Sequence, residues 1–166
     1  MQDIGLLTLR LDDRREYRLH VWDPESRTSD PPIHDHPFDF TSTVIVGGLI
    51  NTRYVEDPTG IEYRRHRYWP GEEDARRTDS VRLVGSETTF SPGDRYGQVS
   101  TELHSSHPTP GTVTLIKFGP IAERELTVCL EPGAPWVSER ARPATADEVK
   151  RITDAALHLF AVAWRT

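Results

Sequence analysis

Turn signals recur along this chain at intervals too short for long helices, and that spacing constrains its fold more than any other feature. Thirteen prolines and eleven glycines punctuate runs rich in Val, Ile, Thr and aromatic residues, a composition that fits a half-buried pleated strand. Ile4 to Leu11 and Tyr17 to Trp22 read as the first two strands, and Asp23 to Pro32 as a turn-rich loop ending in a double proline. The clearest strand material is Phe38 to Ile50, where Gly47-Gly48 marks a bend. Asn51 to Val55 continues the pairing, Asp57-Pro58-Thr59-Gly60 is a turn, and Ile61 to Trp69 returns. Beyond the charged loop Pro70 to Asp79, short strands are expected at Val81 to Val84, Thr88 to Phe90, Tyr96 to His104, Thr112 to Phe118 and Glu125 to Leu130. So many short strands predict an all-β sandwich or barrel.

The end of the chain changes period. Thr145 and Glu148 form a capping box, each side chain satisfying a free amide at a helix start. Val149, Ile152, Ala156, Leu159, Phe160 and Ala163 then recur every three or four residues, which predicts one amphipathic helix over about 146–163 packed on the outside of the sheet. With 166 residues, a single domain is expected over 1–166, its barrel spanning about 4–131.

The net charge of −6 and the lack of a basic stripe argue against nucleic acid. No apolar run approaches the roughly 18 residues of a membrane span, and Met1 to Arg10 lacks a charged region followed by a long apolar run, so neither a membrane nor a secreted role is expected. Cys129 is the only cysteine, so an intramolecular disulfide is impossible and a cytoplasmic setting is expected. Cys129 itself reads as a buried apolar residue.

Chemistry concentrates in Ile33 to Phe40, which spells Ile-His-Asp-His-Pro-Phe-Asp-Phe. Alternate side chains of a strand share a face, so His34 and His36 would point the same way and could chelate one ion. Neutral imidazole suits Zn, Fe, Ni and Cu better than Mg or Ca. Pro31, Pro32 and Pro37 stiffen the approach.

His34-Asp35-His36-Pro37 leads into Phe38 to Gly48. Later come Gly93-Asp94-Arg95-Tyr96 through Glu102-Leu103-His104, then Pro110-Gly111-Thr112-Val113-Thr114-Leu115. Over roughly residues 30 to 120 this arrangement resembles the cupin superfamily. The resemblance implies a double-stranded β-helix (a jelly-roll barrel) with a divalent metal at its centre, held by His34, His36 and His104. It also departs from the pattern: Phe40 and Thr41 stand where the first motif carries a glutamate. Asp39 is the nearest carboxylate. Strict alternation turns it away from the histidines, and a bulge after Pro37 would return it as a ligand.

His107 competes with His104 for the third position but sits beside Pro108 in an expected turn. Tyr96, Gln98, Ser100, Glu102 and His104 fall on one face of the expected strand, so Tyr96 is placed to contact a substrate. Glu102 would be a fourth ligand, a general base, or a hydrogen-bond partner that orients an imidazole. Without a carboxylate the set resembles the cupins that oxidise thiols with O₂, in which three imidazoles hold Fe(II), and His-Asp-His-Pro resembles their motif. The expectation is therefore a mononuclear non-haem Fe(II) dioxygenase acting on a small molecule. The same ligands holding Zn, Mn or Ni would support isomerase, lyase or hydrolase chemistry, and a non-catalytic ligand-binding module is the third reading. Proteins of this resemblance are often dimers, so a homodimer is a candidate assembly. His20 reads as a core histidine, His66 as part of a solvated Arg64-Arg65-His66-Arg67 face, and His158 as a surface residue. Tyr54, Tyr63, Tyr68, Tyr96 and Trp69 either line a pocket or fill the barrel.

Overall fold

Ten strands and one helix are described in chain order. They are β1 (Ile4–Arg10), β2 (Tyr17–Arg27), β3 (Ile33–His34), β4 (Phe40–Val46), β5 (Leu49–Tyr68), β6 (Arg77–Phe90), β7 (Arg95–Gln98), β8 (Leu103–Pro108), β9 (Val113–Phe118), β10 (Leu126–Leu130) and α1 (Ala146–Ala163). The computed structural model describes residues 4–13, 16–27, 31–72, 75–136 and 143–163. The fold is mostly β, with two five-stranded antiparallel sheets ordered β1-β2-β9-β4-β7 and β10-β3-β8-β5-β6. An additional pairing of β10 with β5 turns β10, β3, β8 and β5 into a closed ring. Among the described residues no helix is long and apolar enough to cross a membrane.

The chain changes sheet at sharp corners, and one of them carries the expected signal. Gly47 has φ +79, and a Cβ there would lie 2.5 Å from the Thr112 hydroxyl, so glycine is required on both counts. Gly47-Gly48 thus takes the chain from β4 in one sheet to β5 in the other. Residues 35–39 make the same crossing in reverse, from β3 to β4. The histidine motif therefore sits on a passage between the sheets.

Alternation along β4 sends Phe40 and Val44 into a core with Leu49, Tyr96 and Ile116. A bulge at Ile45 shifts the register, and Val46 joins a different cluster with Leu7, Val21 and Val113. One extra residue flips the face, as the period of two requires. That second cluster is where the helix packs, through Ile152 and Ala156, with Val149 and Phe160 at its margin. The side chains of Leu159 and Ala163 lie outside the described residues. The capping box forms as expected: the Thr145 amide donates to Glu148 Oε2 at 2.8 Å, and the Glu148 amide to Thr145 Oγ1 at 3.2 Å. Arg151 also donates twice to buried Asp23, at 2.7 and 2.6 Å, tying the helix to β2. Thr145→Ala should lower stability by about 1 kcal/mol, the usual cost of a lost cap, read as a lower urea midpoint with metal content unchanged.

Four expectations are corrected. Strand β2 runs on through Asp23 to Arg27, a stretch expected as loop. Asp57 to Gly60 do not end a strand: Glu56 and Ile61 both register with Leu83, so the four residues loop out of the continuous strand β5. Asp57 Oδ1 accepts from the Thr59 amide at 2.7 Å and its hydroxyl at 2.6 Å, a local bond that competes with the ladder. Gly60 fits because a Cβ there would lie 2.4 Å from the Leu83 backbone. Opposite β5, the two short strands expected over Val81 to Phe90 merge into β6. Finally, Tyr96 to His104 is not one strand. It breaks at Val99 to Glu102, where the Glu102 amide donates to the Val99 carbonyl at 3.0 Å, and the chain leaves β7 for β8 in the other sheet.

Candidate metal centre

His34 ends β3 and lies directly opposite His104 of β8 in antiparallel register. Strand pairing is what brings positions so distant in sequence together. His36 lies beyond the end of β3, but its amide donates to the Ser100 carbonyl at 3.1 Å. The extended path continues, and the alternation of facing survives it.

Asp35 turns to the other side and anchors the motif. Its Oδ1 accepts from the Thr127 amide at 2.8 Å and its Oδ2 from Arg124 at 2.9 Å. Arg124 also donates to the His36 carbonyl at 2.5 Å and to the Ser100 carbonyl. The Asp35 side chain is only 5% exposed. Burial pushes its carboxyl up, against the pull of the Thr127 amide and the Arg124 guanidinium.

One ligand nitrogen from each of His34, His36 and His104 lies within 4.8 Å of the others. His36 Nε2 and His104 Nε2 are 2.8 Å apart, and the three ring centroids are separated by 4.7 to 5.0 Å. The Nδ1–H of His34 donates to the Pro32 carbonyl at 2.9 Å. A carbonyl can only accept, so Nε2 of His34 carries the lone pair. His104 Nδ1 likewise stands 2.7 Å from Asn51 Oδ1. Partners of this kind fix ring orientation and tautomer at metal sites. Phe38 stacks on His36 at 5.4 Å and Phe40 meets it edge-on at 5.1 Å. His34 and His36 are half-buried and His104 is buried, so access is from the His34 and His36 side.

All three imidazoles are held neutral. Burial lowers His104 to about 2, with His34 and Arg53 adding to it. Burial lowers His36 well below its ordinary value, reinforced by His34, His104 and His20. His34 is lowered by burial in spite of its bond to Pro32. Neutral imidazole is the form that binds metal. The donor set fits a divalent transition ion: metal–nitrogen bonds of about 2.0–2.1 Å put neighbouring ligand nitrogens about 3 Å apart, close to the His36–His104 separation.

His20 is lowered to about 4, chiefly by burial and then by Arg18. A histidine whose folded value is depressed leaves more protons on the unfolded chain, so stability falls as pH drops below about 6.5 toward 4. His34, His36 and His104 act in the same direction. The raised Asp35 opposes them, one group against four. The urea midpoint of the metal-free protein should therefore decline through that window, and a flat profile would contradict the assignment.

The other expected residues are placed differently. Asp39 is exposed, and its Oδ1 accepts from the Ser100 amide at 2.7 Å; it is not part of the histidine group. Glu102 is half-buried at the corner before β8, where Oε2 accepts from the Val99 amide at 3.2 Å and from Gln98 at 3.1 Å. Arg53 lies 3.8 Å away. Tyr96 is buried, stacked on Phe90 at 4.5 Å, and belongs to the core around Phe40. His107 lies within β8, not in a turn. It is an odd number of residues from His104 and so faces the opposite side, near Ser105 Oγ at 3.3 Å.

His20 is half-buried and lies 6.5 Å from Phe118. His66 is buried against Trp136 at 5.1 Å, while Asp79 takes two bonds from Arg65 and one from Arg67. That strand face is less solvated than expected. Tyr54 and Tyr63 pack with Ile33, Val81, Leu83 and Cys129 in a third core. There burial pushes the Cys129 thiol up to about 12, an inert state. His158 is exposed.

Sequence reasoning missed Asn51 and Arg124. Asn51 had a signal, because asparagine is depleted in strands and this one interrupts Leu49-Ile50-Asn51-Thr52. Arg124 had none. No family model matches the chain, and no curated protein matches it either.

Proposed function

We propose that this chain is a cupin-type metalloenzyme, a jelly-roll barrel whose His34, His36 and His104 hold one divalent ion. The reading takes the ion as Fe(II) and the reaction as dioxygenation of a small molecule. The observation that carries it is the convergence of three neutral imidazoles, with no carboxylate in the group among the described residues. Iron(II) so held supplies a redox centre with open positions for O₂ and substrate. The chain's own part is positional. Pro32 and Asn51 present lone pairs from His34 and His104, Arg124 fixes the backbone of His36, and Phe38 and Phe40 limit water beside His36.

Protein loaded anaerobically with iron should consume O₂ when a reactive small molecule, thiols first, is added. Retained zinc without O₂ uptake would move the reading to Lewis-acid chemistry with zinc, manganese or nickel. Failure to hold any metal would leave a ligand-binding or structural module.

A further inference from the structure

Asn51, which meets His104, and Gln98, which no step above uses, are both polar and each 2% exposed. They lie in a line between His104 and the surface. His104 Nδ1 meets Asn51 Oδ1 at 2.7 Å. Asn51 Nδ2 donates to Gln98 Oε1 at 3.5 Å, and Gln98 Nε2 donates to Glu102 Oε2 at 3.1 Å and, at a longer 3.4 Å, to the Glu102 main-chain carbonyl, so the carboxylate is the nearer of its two acceptors. The chain ends at a carboxylate whose side chain is 40% exposed.

An amide has a donating and an accepting end, and a primary amide can be placed either way round with little steric difference. What sets its direction is the group at the end of the line. The Glu102 carboxylate only accepts. It also takes the Val99 amide proton on the same oxygen. Gln98 must therefore turn its NH₂ toward Glu102, which leaves its carbonyl oxygen toward Asn51. Asn51 must then turn its NH₂ toward Gln98 and its oxygen toward His104. The Ser106 hydroxyl donates to that oxygen at 3.2 Å, but a hydroxyl accepts as readily as it donates, so the direction is set from the Glu102 end. An oxygen at Nδ1 keeps the imidazole proton there and leaves Nε2 with its lone pair. Turned the other way, the Asn51 NH₂ would donate to Nδ1. The proton would move to Nε2, the atom facing His36, and His104 could not ligate.

We infer that Glu102 is a positioning residue that sets the tautomer of His104 through the buried amides of Gln98 and Asn51. It acts as a fixed acceptor and not through its charge. The inference rests on the metal-centre reading for its purpose, but the tautomer itself is measurable without metal.

Long-range proton–nitrogen NMR of the full-length, metal-free protein reads the tautomer of His104 directly. Zinc affinity by competition with a chelator reads the consequence. Wild type should show the Nδ1–H form alone. Glu102→Leu should show a mixture of tautomers and bind zinc on the order of tenfold more weakly, in the range known for partners of metal-bound histidines. Glu102→Gln keeps a carbonyl oxygen that can accept from Gln98 and Val99, and should restore both readouts. An unchanged Nδ1–H form in Glu102→Leu would overturn the inference, as would a Glu102→Gln variant behaving like Glu102→Leu. Wild-type protein that shows the Nδ1–H tautomer yet binds no zinc would fail the metal reading and leave the tautomer assignment standing.

Discussion

His34→Ala, His36→Ala and His104→Ala should each strip the protein of its metal, with affinity falling by more than about 100-fold. Loss of an outer partner of a metal-bound histidine already costs about 10–100-fold, and these substitutions remove the donor atom itself. Each remaining pair of nitrogens would hold an ion by two bonds, too few to compete with water and buffer. His107→Ala should keep its metal, because its ring faces away from His104 across the strand. Equilibrium dialysis followed by elemental analysis checks all four together. Retention by His104→Ala with loss by His107→Ala would reverse the assignment of the third ligand. Folding should survive in the metal-free histidine variants, since two half-buried imidazoles and one buried one that resist protonation give little stability of their own.

The largest effect on stability should come from Arg124. It holds the buried carboxylate of Asp35 and the carbonyls of His36 and Ser100 at once. Arg124→Met leaves Asp35 without its counter-charge in a site with 5% exposure. Removing one partner of a buried ion pair costs about 3–5 kcal/mol. For a chain of this size each kcal/mol shifts Tm by about 2–4 °C, so a fall of roughly 6–20 °C is expected. Adding Asp35→Leu should recover most of the loss, because replacing both charges by apolar groups is often neutral. Metal affinity should not recover in that double variant, since the clamp on the His36 carbonyl is gone. A single variant that melts within a few degrees of wild type would show that Arg124 is not the clamp.

The parts legible in the sequence were those governed by local rules. The capping box at Thr145 and Glu148 and the apolar stripe predicted the helix to its boundaries. The alternation of His34 and His36, the bend at Gly47-Gly48 and the burial of Cys129 needed only a period or a backbone requirement. What was misread depends on partners distant in the chain. Asp57 to Gly60 has the composition of a turn, but the pairing of β5 with β6 on both sides makes the strand continuous. Tyr96 to His104 alternates like one strand, yet a bond between Glu102 and Val99 sends its halves to different sheets. That break puts Tyr96 and His104 on strands of different sheets and moves Glu102 to a corner. His107, beside a proline, looked like a turn residue until β5 supplied its strand partner. Asn51 and Arg124 belong to the site only because of what they touch, and contacts of this kind leave little trace in a single sequence.

The central claim is that three imidazoles from β3, the passage after it and β8 hold one ion. The measurement that tests it most directly is the metal content of protein purified without chelators, counted per chain. The claim requires about one divalent transition ion per chain, lost when His34, His36 or His104 is replaced. Protein that stays metal-free after incubation with iron(II), zinc, manganese and nickel would contradict it.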